Sequence, residues 1–293
     1  EIYEGTSEAQ RMVIAGNLLR YALAYEPGIK KRGVLMPRII ACYKWVVDEA
    51  YIRTDSSPEL DLEYADKKMS DYDRNAIEEA MQLYEKYGGS VAAITVGHPD
   101  DTKGVKDALS RGPEKAYFIN DPSFEHLEPA QTAAILADVI TTKTEYDLII
   151  CGEGSSDLYA QQVGPRLAEL LDIPCVTMVS KIDLAGEQLI AERKVDDGIE
   201  TVSLSLPALL TVLPDINSPR IPGLRDTLAA SKKPVIETAK DELSGNFAPC
   251  LQVLASFKAN MERNGQKLSD EAADIALLLD TLQSKGIIAR GVK

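Results

Sequence analysis

The stretch Tyr146–Leu171, YDLIICGEGSSDLYAQQVGPRLAELL, decides how the rest of the chain reads. Asp147-Leu148-Ile149-Ile150-Cys151 is a short apolar run with β-branched residues, the pattern of a buried strand. Gly152 and Gly154 follow at once, then Ser155, Ser156 and Asp157. From about Leu158 the spacing predicts a helix, with Leu158, Val163, Leu167 and Leu170/Leu171 on one face and Gln161, Arg166 and Glu169 turned away. A strand, a glycine turn and a helix make a phosphate cradle, because glycine lets the backbone approach a ligand and the first helical N–H groups lack intrahelical acceptors. The same spacing suits a plain βα turn in which Ser155, Ser156 or Asp157 caps the helix. The motif is not GxGxxG, nor is it a Walker loop, since no Gly-Lys-Ser/Thr occurs. Asp157, close to a helix start, suits a ribose hydroxyl or a cap better than a phosphate.

With 293 residues the chain has room for one large domain or two modest ones. The net charge of −14 argues against a nucleic-acid surface, which requires a basic footprint. No apolar run approaches the roughly 20 residues needed to span a bilayer, and the polar, acidic N-terminus has no signal-peptide pattern. Cys42, Cys151, Cys175 and Cys250 are far apart in sequence, in apolar contexts and without a CxxC pair. They are expected to be reduced and buried, in keeping with a cytoplasmic location. His98 and His126, with no cysteine or carboxylate cluster nearby, make neither a metal site nor a Ser-His-Asp triad.

Outward from the anchor, strands and helices alternate. Strands are expected at Arg38–Tyr43, Val91–Val96 and Ala116–Ile119. Helices are expected from Ser70-Asp71 to Gly88-Gly89 (with Ala76, Ile77, Ala80, Met81 and Tyr84 on one face), over Asp101–Ser110 and over Pro129–Thr142. This alternation predicts an α/β fold with a doubly wound, mostly parallel, Rossmann-like sheet. Past Cys175 the runs Val176–Ile182, Gln188–Lys194 and Glu200–Leu206, with turns at Ala185-Gly186 and Asp197-Gly198, read as a meander added antiparallel to that sheet. Ala208–Leu213 is a further strand, and 214–235 a proline-containing loop with a short helix. Residues 240–267 show no firm period and read as an extended arm. Ser269–Ser284 carries a last amphipathic helix on Ala272, Ile275, Leu278, Leu279 and Leu282, with Ser269 as its cap and Glu271 and Asp274 complementing its dipole. The arm and helix either dock on another subunit or pack on their own domain.

The order of several segments resembles the β subunit of electron transfer flavoprotein, most closely its Fix-type branch. The segments are RIIACYKWVVD from Arg38, MSDYDRNAIEEA from Met69, ALSRG from Ala108, CGEGSSDLYAQQVG from Cys151 and LPALLTVLPDINSPR from Leu206, followed by the helix before Lys232-Lys233. The resemblance spans residues 36 to about 290. It implies a nucleotide-binding domain over 36–240, a C-terminal arm and helix over 241–293, and a heterodimer in which an α subunit holds the electron-carrying FAD. The β subunit would bind an adenine nucleotide, either AMP as a structural ligand or, in bifurcating members that oxidise NADH, a second FAD. It would have no catalytic residues of its own.

By position the resemblance places nucleotide contacts at Cys42, at Ser70, Asp71, Tyr72 and Asp73, at Val96, and along Gly152, Glu153, Gly154, Ser155, Ser156, Asp157, Leu158, Tyr159, Ala160, Gln161, Gln162 and Val163. Departures from the ordinary branch at Ser70–Asp73 and Tyr159–Gln161 leave AMP and a second FAD both open. The loop after Ala208–Leu213 matches a recognition loop that docks on dehydrogenase partners through a leucine, here Leu224, unless that side chain tucks into its own subunit. Residues 1–20 resemble instead the C-terminal end of an acyl-CoA dehydrogenase, with Glu4 where part of that family carries its catalytic base. With the rest of the dehydrogenase missing, Glu4 cannot act alone. Residues 1–35 are expected to be a remnant and linker that packs poorly on the rest, and a pointer to an acyl-CoA dehydrogenase-like redox partner. The alternative from another class is a stand-alone protein of related fold that binds or hydrolyses an adenine nucleotide. A hydrolase would need a base or metal-binding carboxylates beside the loop, where the sequence offers Glu153 and Asp157.

Overall fold

The first strand, β1 (Arg38–Cys42), is buried along both faces after its first residue, and everything else is laid out on either side of it. The computed structural model describes residues 36–288 apart from 53–59, 61, 63–64, 186–187, 246, 250, 252–253 and 255–264. Glu4 and the rest of the 1–35 segment therefore lie outside the described residues, as do Gly186, Cys250, most of the polar stretch 55–63 and much of the arm.

In chain order β1 leads into a two-stranded antiparallel ribbon, β2 (Trp45–Val47) with β3 (Lys67–Met69), which the sequence pattern did not announce. Helix α1 (Asp71–Tyr87), β4 (Ser90–Gly97), α2 (Thr102–Ser110), β5 (Lys115–Asn120), α3 (Pro129–Lys143) and β6 (Leu148–Gly152) follow. Then come α4 (Val163–Leu170), β7 (Cys175–Ala185), β8 (Gln188–Val195), β9 (Gly198–Ser205) and β10 (Ala208–Val212). The last elements are α5 (Leu224–Ala230), β11 (Val235–Ala239) and α6 (Ala272–Ser284). The described strands form a nine-stranded sheet in the order β11-β5-β4-β1-β6-β10-β7-β8-β9. Every pairing from β11 to β7 is parallel, and β7-β8-β9 is the antiparallel addition. The expected doubly wound sheet is thus what the chain forms.

Alternation along β1 explains the two layers. Ile39 and Ala41 face a core shared with Ala76, Ile77 and Ala80 of α1 and Val105 and Leu109 of α2. Ile40 and Cys42 face the opposite core, with Ile135, Leu136 and Val139 of α3 and Leu167 and Ala168 of α4. A parallel strand covered by helices on both sides carries apolar residues at every position, as β1 and β6 do.

Three expectations are corrected. Tyr84 does not share the buried face of α1 but is exposed. Its neighbour Leu83 is buried instead, in the core that α1 shares with the sheet. Nor does Ser269 cap the last helix. Helix α6 begins at Ala272 with Glu271 as its flanking residue, and the Ser269 hydroxyl donates to Asp274 at 2.7 Å. Finally, the helix after β6 starts at Val163, not near Leu158.

The cover over α1 is polar and fully paired. Asn75 Nδ2 donates to the carbonyls of Pro214 and Asn217 at 2.9 and 3.0 Å, and Asn217 Nδ2 donates back to Asn75 O and to Glu79. Arg220 forks onto the buried Glu78, with Nε to Oε2 at 2.7 Å and Nη2 to Oε1 at 3.1 Å, and reaches Glu85 with Nη1. Burial pushes the Glu78 carboxyl up, but the Arg220 guanidinium more than offsets this and holds it below the usual range. Removing the arginine strands a buried carboxylate, which is costlier than losing the pair symmetrically. Because Arg220 is about a third exposed, the cost falls below that of a fully buried pair. Arg220→Ala should destabilise the protein by about 2 kcal/mol, lowering the thermal midpoint by roughly 4–8 °C, whereas Arg225→Ala should leave it unmoved; differential scanning calorimetry of the two variants checks this.

Candidate functional site

The chain runs from β1 to β4 and β5 on one side, then crosses back to place β6 on the other side of β1. At such a reversal the helices leave in opposite directions, and a crevice opens beyond the carboxyl ends of the two central strands. Those ends are Cys42 and Gly152. The register Ala41↔Ile150 puts Cys42 beside Cys151, so two cysteines far apart in sequence are neighbours. Hydrogen bonding with Cys42, together with burial, pushes the Cys151 thiol up. Cys42, Cys151 and Cys175 are free thiols and buried, as expected.

Under the crevice lies Asp73, a carboxylate on the first turn of α1 and only 6% exposed. It accepts the backbone N–H of Lys44 at 2.8 Å, the backbone N–H of Gly152 and the Ser70 hydroxyl. One side chain thereby ties the end of β1, the end of β6 and the start of α1. Burial nonetheless dominates and raises its pKa to about 7. The approach is close enough that Gly152 is required: a Cβ there would stand 2.6 Å from Asp73 Oδ1 and 2.8 Å from Tyr72 Cβ. Ser70 is buried, and its N–H donates to Lys44 O at 3.0 Å. Asp71 N donates to Ser156 Oγ at 2.9 Å, and Ser156 N to Ser70 Oγ at 3.3 Å, which stitches the loop after β6 onto the start of α1.

Within that loop Tyr159 and Gln161 have φ of +46° and +56°. Left-handed backbone at two non-glycine residues is uncommon and is a form of strain that collects at ligand sites. It also explains why α4 cannot begin at Leu158, since a helix does not propagate through positive φ. Ser155, Ser156 and Asp157 consequently sit too far upstream to cap α4. The residue before the helix, Gln162, gives no side-chain cap, and its Oε1 instead accepts from Arg166 Nε at 3.1 Å. The amino end of α4 therefore has no side-chain cap and keeps its partial positive charge.

The other expected residues take these positions. The Tyr159 ring packs on Gly154, 2.6 Å from where a Cβ would be, and lies 5.1 Å from the Tyr72 ring. Its hydroxyl hydrogen-bonds Glu153 Oε1. Burial raises the Glu153 carboxyl, and its Oε2 is a buried acceptor without a partner among the described residues. Asp157 pairs with Lys44 at 2.5 Å and accepts Leu158 N. Burial pushes Asp157 up, but Lys44 and the Ser155 hydroxyl outweigh it, so the carboxyl is lowered and stays ionised. Gln161 Nε2 reaches Met178 Sδ at 3.9 Å, while Leu158 stands exposed and Ala160, Gln162 and Val163 are half-buried. Val96 lies at the same edge, near the end of β4. The bend is closed over by Tyr159 itself, so a ligand reaches Gly154 only if that ring turns aside. A cavity of about 470 Å³ lies beside the site rather than over the bend, between Asp71, Arg74, Asn75, Arg111 and residues 219–222.

Leu224 opens α5 and is 77% exposed, and its neighbours Ile221 and Leu228 are exposed too, so it does not tuck into its own subunit. Sequence reasoning missed Lys44, Asn75, Asn217 and Arg220. Lys44 follows the first strand directly and is the one whose position could have marked it. The acidic residues at the loop are also more than Glu153 and Asp157, because Asp71 and Asp73 are brought alongside.

The fold and this edge define an α/β protein with a mostly parallel, doubly wound sheet whose strand order reverses between β1 and β6. A family model, electron transfer flavoprotein domain, matches residues 60–243, more than half the chain. The chain belongs to the electron transfer flavoprotein family. The match takes in α1, the β6 loop and the Leu224 loop, whereas β1 and Lys44 precede it.

The raised pKa of Asp73 has a signed consequence. Its value in the folded protein, about 7, lies above the ordinary 3.8, so the native state holds a proton that the unfolded chain has released. Its contribution is fully present below about pH 4 and is lost as pH rises through about 7. In urea unfolding between pH 4 and 7.5, Asp73→Asn should be less stable than the parent at the acid end, and the difference should shrink steadily towards pH 7.5.

Proposed function

We propose that this chain is the β subunit of a heterodimeric electron transfer flavoprotein, of the Fix-type branch, and that it binds an adenine nucleotide at the edge formed by Cys42, Ser70–Asp73, Val96 and Gly152–Val163. The observation that carries this reading is the β6 loop: two left-handed residues, an uncapped helix start and serine stitching to α1, all at the switch point of a sheet in a family that transfers electrons. A dinucleotide or mononucleotide suits the groups present. Backbone N–H groups at the start of α4 favour a phosphate, the tilted pair Tyr72 and Tyr159 offers aromatic faces, and Glu153 Oε2 offers a buried acceptor to a ligand N–H or O–H. AMP would fill a structural role there, and a second FAD would supply reversible electron storage. The chain's own residues bind and orient the nucleotide and keep water from it.

Two surfaces support the partners. Helix α6 has no buried residue, and Ile275, Leu277, Leu278 and Leu279 are all exposed by 43% or more. A helix this apolar and this open suits the α subunit as its cover, with 241–293 acting as a clasp. Exposed Leu224 suits docking of a redox partner, for which the dehydrogenase-like tail at 1–20 points to an acyl-CoA dehydrogenase. The hydrolase alternative finds little support, since among the described residues no group of three or more His, Cys, Asp or Glu side chains could hold a metal ion.

Co-expression with the flavin-bearing subunit tests the reading. A yellow heterodimer should be recovered, with two FAD per heterodimer if the pair bifurcates and one FAD plus one AMP if it does not. Leu278→Asp should lower heterodimer recovery at least 10-fold while leaving the chain folded. A folded, monomeric and colourless chain in the presence of its mate would refute the proposal.

A further inference from the structure

Lys44 belongs to no segment that the family match covers, yet it makes an ion pair with the loop of the candidate site. The loop Gly152–Val163 carries two carboxylates and neither lysine nor arginine. A phosphate entering it would meet negative charge from Asp157 and gain a full positive charge only from outside the loop. Lys44 supplies that charge from across the crevice, two residues beyond Cys42.

We infer that the Lys44 ammonium is the cation for the ligand's phosphate, and that the phosphate takes Lys44 over from Asp157. The inference rests on the adenine-nucleotide reading above and adds a residue to it. The backbone of Lys44 is fixed on both sides, its N–H donating to Asp73 at 2.8 Å and its carbonyl accepting from Ser70 N at 3.0 Å. Only the side chain is left to move, and it is 41% exposed. Asp157 is prepared to lose its partner, since it keeps the N–H of Leu158 at 2.8 Å and the Ser155 hydroxyl. The exchange therefore strands no buried group. It is also favourable: a half-exposed lysine–carboxylate pair contributes little, whereas a phosphate brings more charge and more acceptor oxygens to the same ammonium. Asp157 then acts as a competitor for the site's cation rather than as a ligand of the nucleotide.

Binding of AMP and of adenosine to the purified full-length chain, measured by calorimetry in 50 mM and 200 mM salt, separates these roles. Lys44→Met should weaken AMP roughly 10- to 100-fold and flatten its salt dependence, while leaving adenosine binding and the thermal midpoint unchanged. Lys44→Arg should retain AMP binding within about 3-fold, because it keeps the charge. Asp157→Asn should tighten AMP several-fold by freeing the lysine. Unchanged AMP affinity in Lys44→Met, or equal losses for AMP and adenosine, would overturn the inference while leaving the nucleotide site standing. Weaker AMP binding in Asp157→Asn would make that carboxylate a ligand and overturn the exchange. A parent protein that binds neither compound would remove the site itself, and the inference with it.

Discussion

A single buried carboxylate holds the working edge of this protein together. Asp73 accepts N–H groups from the ends of the two central strands, from Lys44 after β1 and from Gly152 at the end of β6, and it does so from the first turn of α1. Parallel strands end in loops whose first N–H groups no longer have ladder partners. Leaving such groups unpaired in a buried place would cost about as much as a lost hydrogen bond each. Asp73 satisfies two of them at once and so fixes the width of the crevice. The need for glycine at 152, the approach of Tyr72 and the stitching of Ser156 to Ser70 all follow from that closeness.

The same helix extends the edge towards the surface. Asn75, Glu78 and Glu79 would be an ordinary solvated face by their spacing, but they are buried under the loop 214–220 and paired with Asn217 and Arg220. The edge formed with the β6 loop and the Leu224 loop are thus carried by one helix. The loop's apolar tip, Ile221 and Leu224, stands in solvent while its base is clamped. An apolar tip held in this way suits the docking role proposed for it, because covering it costs little freedom.

Much of this could be read from the chain before any coordinates. Continuous apolar runs such as Ile39–Cys42 and Leu148–Cys151 have one physical meaning, burial on both faces, and they led directly to the doubly wound sheet. The glycines at 152 and 154 marked the bend. What could not be read depends on contacts between distant segments. The start of α4 moved from 158 to 163 because Tyr159 and Gln161 adopt left-handed backbone, and nothing in their side chains announces that. The resemblance marked Asp73 as a nucleotide contact at a helix start, and Lys44 was only the basic residue past a strand end. Only the meeting of β1, β6 and α1 made them a brace and an ion pair. The short strands β2, β3 and β11 lacked a long enough pattern to register against their neighbours.

Amide hydrogen exchange of the full-length protein with and without AMP tests the central claim most directly, because it reports where the ligand is felt without assuming which residues hold it. The account predicts added protection confined to 42–45, 70–73, the end of β4 around Val96, and 152–164, the segments that form the proposed edge. Binding with no change there, or protection centred on another part of the molecule, would contradict it.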